Sequence, residues 1–279
     1  MKEKRDRSES VQEDNFIDIE RVIASKNNDV LKWIPSFIIS YLKRVIHQDF
    51  INQFLRENKH VMGFDFVDAT LKYFGIKVSV EGLENLHPSK RLIIAANHPL
   101  GGMDGMALMR VAGKLRKDIL FPVNDLLMNI PNMRELFIPI NKHGSNMENA
   151  RIIDEAFGGD KMMLYFPAGL VSRKQKGEIV DLEWKKTFIR KARAYKRDIV
   201  PTFISGLNSN WFYNLALWRK RLGIKANLEM LYLADEMVKQ KGKEIKIIFG
   251  QPISYETFDR TKKDIVWAAQ VKKTVYQLK

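Results

Sequence analysis

The sequence predicts an α/β fold, a mixed and largely parallel sheet covered by helices, with an N-terminal amphipathic helical extension. Three observations predict it. From about residue 75 onward, short apolar runs alternate with segments of helical period. Ahead of them lies an apolar stripe with helical spacing. The chain has 279 residues, 45% hydrophobic and 29% charged, enough for a sizeable core but too charged for a bundle of membrane spans.

In chain order, residues 1–28 read as a polar lead-in of low apolar content. No apolar stretch follows the mixed-charge start from Met1 to Ser10, so no secretory signal is expected. Residues 29–74 form an N-terminal helical region. Its pattern is clearest from about Asp29 to Glu57, with a break or fresh start near Pro35. Trp33, Ile34, Phe37, Ile38, Tyr41, Leu42, Val45 and Ile46 recur at steps of three and four, with Lys43, Arg44, His47 and Gln48 among or beside them. By itself such a stripe favours a helix packed on a core. The alternative is an interfacial helix, with Trp33 and Tyr41 at headgroup depth and its lysines snorkelling. The apolar run from Trp33 to Leu42 contains Pro35 and is too short to span a bilayer, which takes about 20 apolar residues.

Residues 75–279 form the main domain. The expected strands are Ile76–Val80, Leu92–Ala96, Ile119–Pro122, Phe137–Ile140, Met162–Phe166, Ile199–Ile204 and Ile245–Phe249. Helices are expected at Met106–Leu115, Asn146–Phe157, Trp184–Tyr195 and Trp211–Leu222, with a last one from about Lys263 to Leu278. Ser145, with Glu148 three residues on, makes a capping box for the second of these. There is no internal repeat.

The net charge of +14 suits polyanions: nucleic acid, an anionic membrane, or phosphorylated and carrier-bound substrates. No nucleic-acid-binding motif accompanies it, so no nucleic-acid partner is expected. The chain has no cysteine, which excludes a disulfide scaffold, a thiolate nucleophile and a cysteine-ligated zinc site. His47, His60, His87 and His143 have no partner at metal-ligand spacing, and no metal is expected.

The chemistry concentrates between Leu92 and Met106. An apolar strand ends at Asn97-His98, a Pro99-Leu100-Gly101-Gly102 turn follows, and Asp104 opens the next helix. Catalytic groups of open α/β sheets collect at such strand ends. If the turn folds Asp104 back on His98, the carboxylate fixes the imidazole tautomer and leaves the other ring nitrogen as a base. A base of that kind takes the proton from a hydroxyl as it attacks a thioester, with no enzyme nucleophile needed. Backbone N–H groups of Gly101 and Gly102 are the candidate oxyanion donors. An isolated His-Pro is more often a structural histidine; the residues around this one reverse that weighting.

The stretch from Asn97 to Gly105 resembles the histidine–aspartate box of the glycerolipid, or 1-acylglycerol-3-phosphate, acyltransferase superfamily. The interval between His98 and Asp104 is one residue longer than the commonest form. With Pro-Leu-Gly-Gly inside it, the box is similar to that of a bacterial subgroup often labelled putative hemolysin, which includes lyso-aminolipid O-acyltransferases. Phe166-Pro167-Ala168-Gly169 resembles the family's Phe-Pro-Glu-Gly block, which lines the acceptor site, with Ala168 in place of the glutamate. Ser172-Arg173-Lys174 and Asp181-Leu182-Glu183-Trp184 also resemble the subgroup, and Ile199-Val200-Pro201 the family's fourth block. Lys142, after Phe137–Ile140, stands where an arginine usually meets the acceptor phosphate. The resemblance covers roughly residues 75–255.

It implies an enzyme with His98 and Asp104 at its catalytic centre and with Asn97, Lys142, Phe166, Pro167 and Gly169 around the acceptor. Arg173, Lys174, Lys176, Lys185 and Lys186 form a basic cluster that elsewhere would read as a solvated face. Beside an acyl-transfer site Arg173 and Lys174 are expected to hold an anionic headgroup or the acidic carrier protein, Arg173 first because its fork suits a carboxylate or phosphate. The resemblance also implies an acyl donor on acyl carrier protein or coenzyme A, a lysolipid acceptor, and no bound cofactor. In that setting the interfacial reading of the 29–57 helix becomes the better one. The protein is then expected in the cytoplasm, peripheral on the inner face of the cell membrane. Two other readings compete: a lytic membrane-active protein, which no spanning segment supports, and an N-acyltransferase, which a histidine base serves less well than it serves a hydroxyl. Trp211-Phe212-Tyr213 reads as packing rather than as a lipid-facing run, and the methionine-rich stretches as core filler.

Overall fold

The computed structural model describes residues 16–26, 28–124, 127–139 and 146–279. The chain forms two compact units, Met1–His60 and Val61–Lys279.

The first unit is helical: α1 (Ile19–Lys26), α2 (Asn28–Trp33), α3 (Ser36–Val45) and α4 (Gln48–Glu57). The expected polar lead-in therefore turns helical at Ile19. Two buried amides of α4 dictate this. Asn52 accepts from the Ile17 N–H at 2.9 Å and donates to the Ile17 carbonyl at 2.7 Å, while Gln48 accepts from the Ile19 N–H at 2.9 Å. The chain entering α1 is thus bolted down by side chains 29 and 35 residues away. Pro35 separates α2 from α3 as the pattern predicts. A second break at His47, in left-handed backbone, separates α3 from α4 and left no mark in the periodicity. Ile39, Phe54 and Leu55 are buried, whereas Trp33, Phe37 and Tyr41 of the apolar stripe are exposed. Among the described residues no helix is long and apolar enough to cross a membrane.

The second unit begins with α5 (Gly63–Tyr73) and continues β1 (Lys77–Glu81), β2 (Leu92–Ala96), α6 (Gly102–Leu115), β3 (Ile119–Val123), β4 (Phe137–Pro139), α7 (Asn146–Gly158) and β5 (Met162–Tyr165). A short hairpin, β6 (Arg173–Gln175) and β7 (Glu178–Val180), precedes α8 (Thr187–Tyr195) and β8 (Asp198–Ile204). Then come α9 (Asn210–Arg221), α10 (Leu233–Val238), β9 (Glu244–Phe249) and α11 (Asp264–Gln277). Because α5 buries Phe66, Val67 and Leu71, it belongs to this unit, and the units divide at residue 60 rather than at 74.

The seven runs read as strands form one sheet in the order β1-β9-β8-β2-β5-β3-β4. All pairs are parallel except β8–β9, so the sheet is mixed and mostly parallel. β2 lies between β5 and β8 with all five residues fully buried, which is why its sequence is unbroken apolar. The ends of β2, β5, β8 and β3 share one edge. There the chain leaves β2 on one side and β8 flanks it on the other, the crevice where parallel sheets bind ligands.

The β6–β7 hairpin escaped the sequence reading because it is short and polar. Its turn uses positive φ at Lys176 (49°) and Gly177 (92°), the combination a tight hairpin needs. α8 starts at Thr187, later than expected, because Trp184 is buried and anchored by its own hydrogen bond. Ser145 and the side chain of Glu148 lie outside the described residues.

Candidate active site

Asn97 ends β2 and ties it to β8. Its amide nitrogen donates to the Ile204 carbonyl at 2.8 Å and its oxygen accepts from the Ile204 N–H at 2.7 Å. Both ends of a buried amide are spent inside the sheet, so the acceptor contact expected of Asn97 is corrected to a strand tie that fixes where His98 begins.

After His98 the chain reverses through Pro99–Gly101, with Gly101 at φ 83°, and enters α6. Asp104 lies in the first turn of α6, fully buried. Its carboxylate faces His98 Nδ1 at 3.0 and 3.1 Å and accepts from the Leu100 N–H at 2.7 Å. The fold-back read from the turn is therefore present. A carboxylate can only accept, so Nδ1 carries the proton and Nε2 keeps its lone pair. The imidazole lies flat on Phe166, with ring centres 4.1 Å apart and planes at 20°, and Phe166 meets Phe121 edge-on. Burial opposes an imidazolium here. The charge of Asp104, its hydrogen bond and the charge of Asp181 outweigh burial and hold the His98 pKa above its ordinary value.

A second buried carboxylate, which the sequence reading did not assign to the site, fixes the histidine's backbone. Asp181 Oδ1 accepts from the His98 N–H at 3.2 Å and from Ser172 Oγ at 2.6 Å, and its Oδ2 accepts from Trp184 Nε1 at 2.8 Å. The Asp181 N–H donates to Tyr276 Oη at 2.7 Å, and the Ser172 N–H donates to the His98 carbonyl at 2.7 Å. The loop after β5 and the last helix thereby clamp the histidine from its backbone side. Burial pushes the Asp181 carboxyl up, against these donors. Asp181 opens the Asp181–Trp184 run that resembles the subgroup. Its partner is 83 residues away, so no local spacing could reveal the contact.

The other expected residues divide. Gly101 and Gly102 head α6 with no side-chain cap, so the first-turn N–H groups next to His98 are candidate donors to a developing oxyanion. Phe166 reaches the histidine; Pro167 and Gly169 shape the turn beneath it, Gly169 at φ 67°. Ala168 is buried in the apolar core, which accounts for a small side chain in place of a glutamate. Lys174 is exposed on β6. Lys142 lies outside the described residues.

Arg173 is a correction. It is buried, it pairs with the fully buried Glu229 at 2.9 Å, and it donates to the Val171 and Ser172 carbonyls. Its face lies over the Phe212 ring at 4.9 Å. These donors serve the protein's interior rather than an anionic headgroup, and burial lowers its pKa. Two open surface depressions, one beside Arg193 and the 259–265 turn and the other beside Phe64 and Glu135, do not border His98.

A buried carboxylate orienting a histidine at the edge of an α/β sheet suits acyl transfer. Residues 21–279 match the family model described as Acyltransferase, and the chain belongs to that family of enzymes. It is 47% identical over 265 residues to the lyso-glycine lipid O-acyltransferase of Phocaeicola vulgatus, covering 94% of this chain and 95% of that one. The lyso-glycine lipid O-acyltransferase of Bacteroides thetaiotaomicron is also 47% identical, over 94% of this chain and 97% of its own. The crystal structure of the 1-acyl-sn-glycerophosphate (LPA) acyltransferase PlsC from Thermotoga maritima aligns with 16% identity and a TM-score of 0.49, over 87% of this chain and 92% of that one.

Proposed function

We propose that this acyltransferase moves a fatty acyl chain from a thioester, on acyl carrier protein or coenzyme A, to the hydroxyl of a lyso-aminolipid, with a lyso-glycine lipid as the leading acceptor. The observation that carries the reading is the His98–Asp104 pair: the carboxylate lies 3.0 Å from Nδ1, which places the proton there and leaves Nε2 as the base. The choice of acceptor is supported by the two relatives, which match over nearly their whole length.

In this mechanism Nε2 of His98 takes the hydroxyl proton as the acceptor oxygen attacks the thioester carbonyl. Asp104 holds the ring and stabilises the imidazolium. First-turn N–H groups at Gly101 and Gly102 receive the charge on the carbonyl oxygen. The carbon–sulfur bond then breaks, the imidazolium returns its proton to the leaving thiolate, and ester and thiol depart. Every catalytic group belongs to the chain, and the thioester is a co-substrate.

We place the enzyme on the cytoplasmic face of the membrane, held by its basic surface and its N-terminal helices. The exposed Trp33, Phe37 and Tyr41 beside Lys32 and Arg44 favour the interfacial reading of those helices over core packing.

The test is a product assay. Purified protein in detergent receives acyl-carrier-protein thioester with either a monoacylated glycine lipid or lysophosphatidic acid, and the lipids are weighed by mass spectrometry. A diacyl product from the glycine lipid, absent in His98→Ala, is expected. Product from lysophosphatidic acid alone would overturn the aminolipid assignment.

A further inference from the structure

In the second unit, large apolar side chains are exposed in one place above all. Six of the ten exposed between Val61 and Lys279, among the described residues, fall between Leu207 and Leu228. A scattered exposed leucine needs no explanation; this concentration does.

The cause is α9, which is apolar on both sides. Phe212, Tyr213 and Ala216 face the interior. On the opposite side Trp211, Leu215, Trp218 and Leu222 recur at helical spacing, and Trp211, Trp218 and Leu222 are 47%, 53% and 74% exposed. The two indoles meet edge-on at 6.4 Å, and Trp211 also meets Tyr232. The loop that follows adds Ile224 and Leu228, both exposed.

That loop is held in place. Arg219 donates to the Ile224 carbonyl at 2.8 Å, and its Nε lies 2.8 Å from the fully buried Glu229, which also pairs with Arg173. Ile224 is thus fixed outward by a buried ionic cluster. At the other end, Asn208 donates to the Pro99 carbonyl at 3.1 Å, so the segment starts against the turn that carries His98.

Charge selects the occupant. From Ser205 to Leu228 there is no acidic residue, and Lys220, Arg221 and Lys225 are exposed beside the apolar stripe. A second copy of the chain would set one basic surface against another in a molecule of net charge +14. A bilayer containing anionic lipid satisfies both halves: indoles at headgroup depth, aliphatic tips below, lysines and arginines among the phosphates.

We infer that the face formed by Trp211, Trp218, Leu222 and Ile224, with Lys220 and Arg221, docks on an anionic lipid bilayer and brings the His98 turn to the surface where the acceptor lies. The inference rests on the lysolipid reading for its purpose, but its test needs no turnover.

The chain has no cysteine, so Leu222→Cys in the full-length protein takes a single environment-sensitive fluorophore. Arg260→Cys, on an exposed turn, is the control. With phosphatidylcholine vesicles containing one-third phosphatidylglycerol, the label at 222 is expected to shift to the blue and to be quenched by brominated lipid, and the label at 260 is not. A label at 222 that stays in water, whether or not the protein sediments with the vesicles, overturns the inference. So does a blue shift that follows protein concentration without vesicles, the sign of self-association.

In a second measurement, Trp218→Glu with Leu222→Glu lowers vesicle affinity by about a hundredfold, roughly tenfold for each apolar side chain withdrawn. It raises KM for a lysolipid presented in vesicles and leaves kcat on the same lipid in detergent unchanged. Unaltered vesicle affinity refutes the assignment. A protein that binds through this face yet acylates no lysolipid fails the proposed function alone.

Discussion

Replacing Asp181 by asparagine tests whether the histidine's backbone clamp is as important as the geometry implies. Asp181 accepts three hydrogen bonds in a fully buried position. Asparagine keeps one carbonyl oxygen for His98 N–H and Ser172 Oγ, but it turns an NH2 toward Trp184 Nε1, donor against donor. Orphaning a buried indole N–H costs about 1–3 kcal/mol. The two surviving bonds lose their charge assistance, a further cost of about 1 kcal/mol. Against this, burial holds the Asp181 carboxyl above its ordinary value, so ionising it in the fold is itself unfavourable and a neutral amide recovers part of that. The net expectation is a loss of about 2 kcal/mol, read as a lower urea midpoint at unchanged slope. A second readout separates positioning from mere stability. The negative charge of Asp181 is one of the groups raising the His98 pKa, so its removal moves the acid limb of kcat/KM to lower pH. An Asp181→Asn protein with the wild-type midpoint and the wild-type acid limb would refute the clamp.

Four more expectations follow from the same geometry. The proposed mechanism needs the base form of His98, whose pKa is raised, so activity is expected to climb as pH passes above the ordinary histidine value of about 6.5; in Asp104→Asn that limb is expected to shift down while kcat falls by orders of magnitude, as a pH–rate profile will show. The linked stability runs the other way: the imidazolium–Asp104 contribution is fully present below the unfolded histidine pKa and fades as pH rises through the folded one, which unfolding midpoints in the wild type and His98→Ala will register. Arg173→Ala strips one of two partners from buried Glu229 and costs about 3 kcal/mol, whereas Arg173→Lys keeps acceptor KM within about twofold; a large rise in KM at an unchanged melting midpoint would restore a headgroup role. Gly206→Ala meets both a φ of 122° and the buried Leu100 side chain at 2.7 Å, so it costs about 2 kcal/mol or more and, by pushing the turn that Asp104 holds, lowers kcat beyond what thermal melting accounts for.

How legible the molecule was depended on whether a feature is local. The seven strands of the sheet were readable because each buries an apolar run bounded by polar or turn residues, and Leu92–Ala96 matched to the residue. The β6–β7 hairpin was not, since its six residues carry charge and no periodicity. The His98–Asp104 pair was readable because a glycine-containing turn joins them within seven residues. Asn97 and Arg173 were misassigned for one shared reason. A polar side chain in a functional-looking motif reads as an acceptor contact until its partners, Ile204 and Glu229, are known, and those lie 107 and 56 residues away. Trp211-Phe212-Tyr213 looked like a single run of packing aromatics. In the fold Phe212 and Tyr213 are buried and Trp211 is exposed, because consecutive residues of a helix point about 100° apart.

The sequence by itself determined the fold class, the strands, the turn that returns Asp104 to His98, and the basic, cysteine-free surface that narrows the chemistry. Those follow from hydrophobic period, local turn chemistry and charge, all of which act over a few residues or over composition. Tertiary structure alone decided the rest: that Asp181 holds the histidine's backbone, that Arg173 is spent on Glu229, and that one side of α9 is left facing outward. The first two are pairings across 83 and 56 residues, and the third depends on which side of α9 the rest of the fold covers; the chain carries no local trace of any of them.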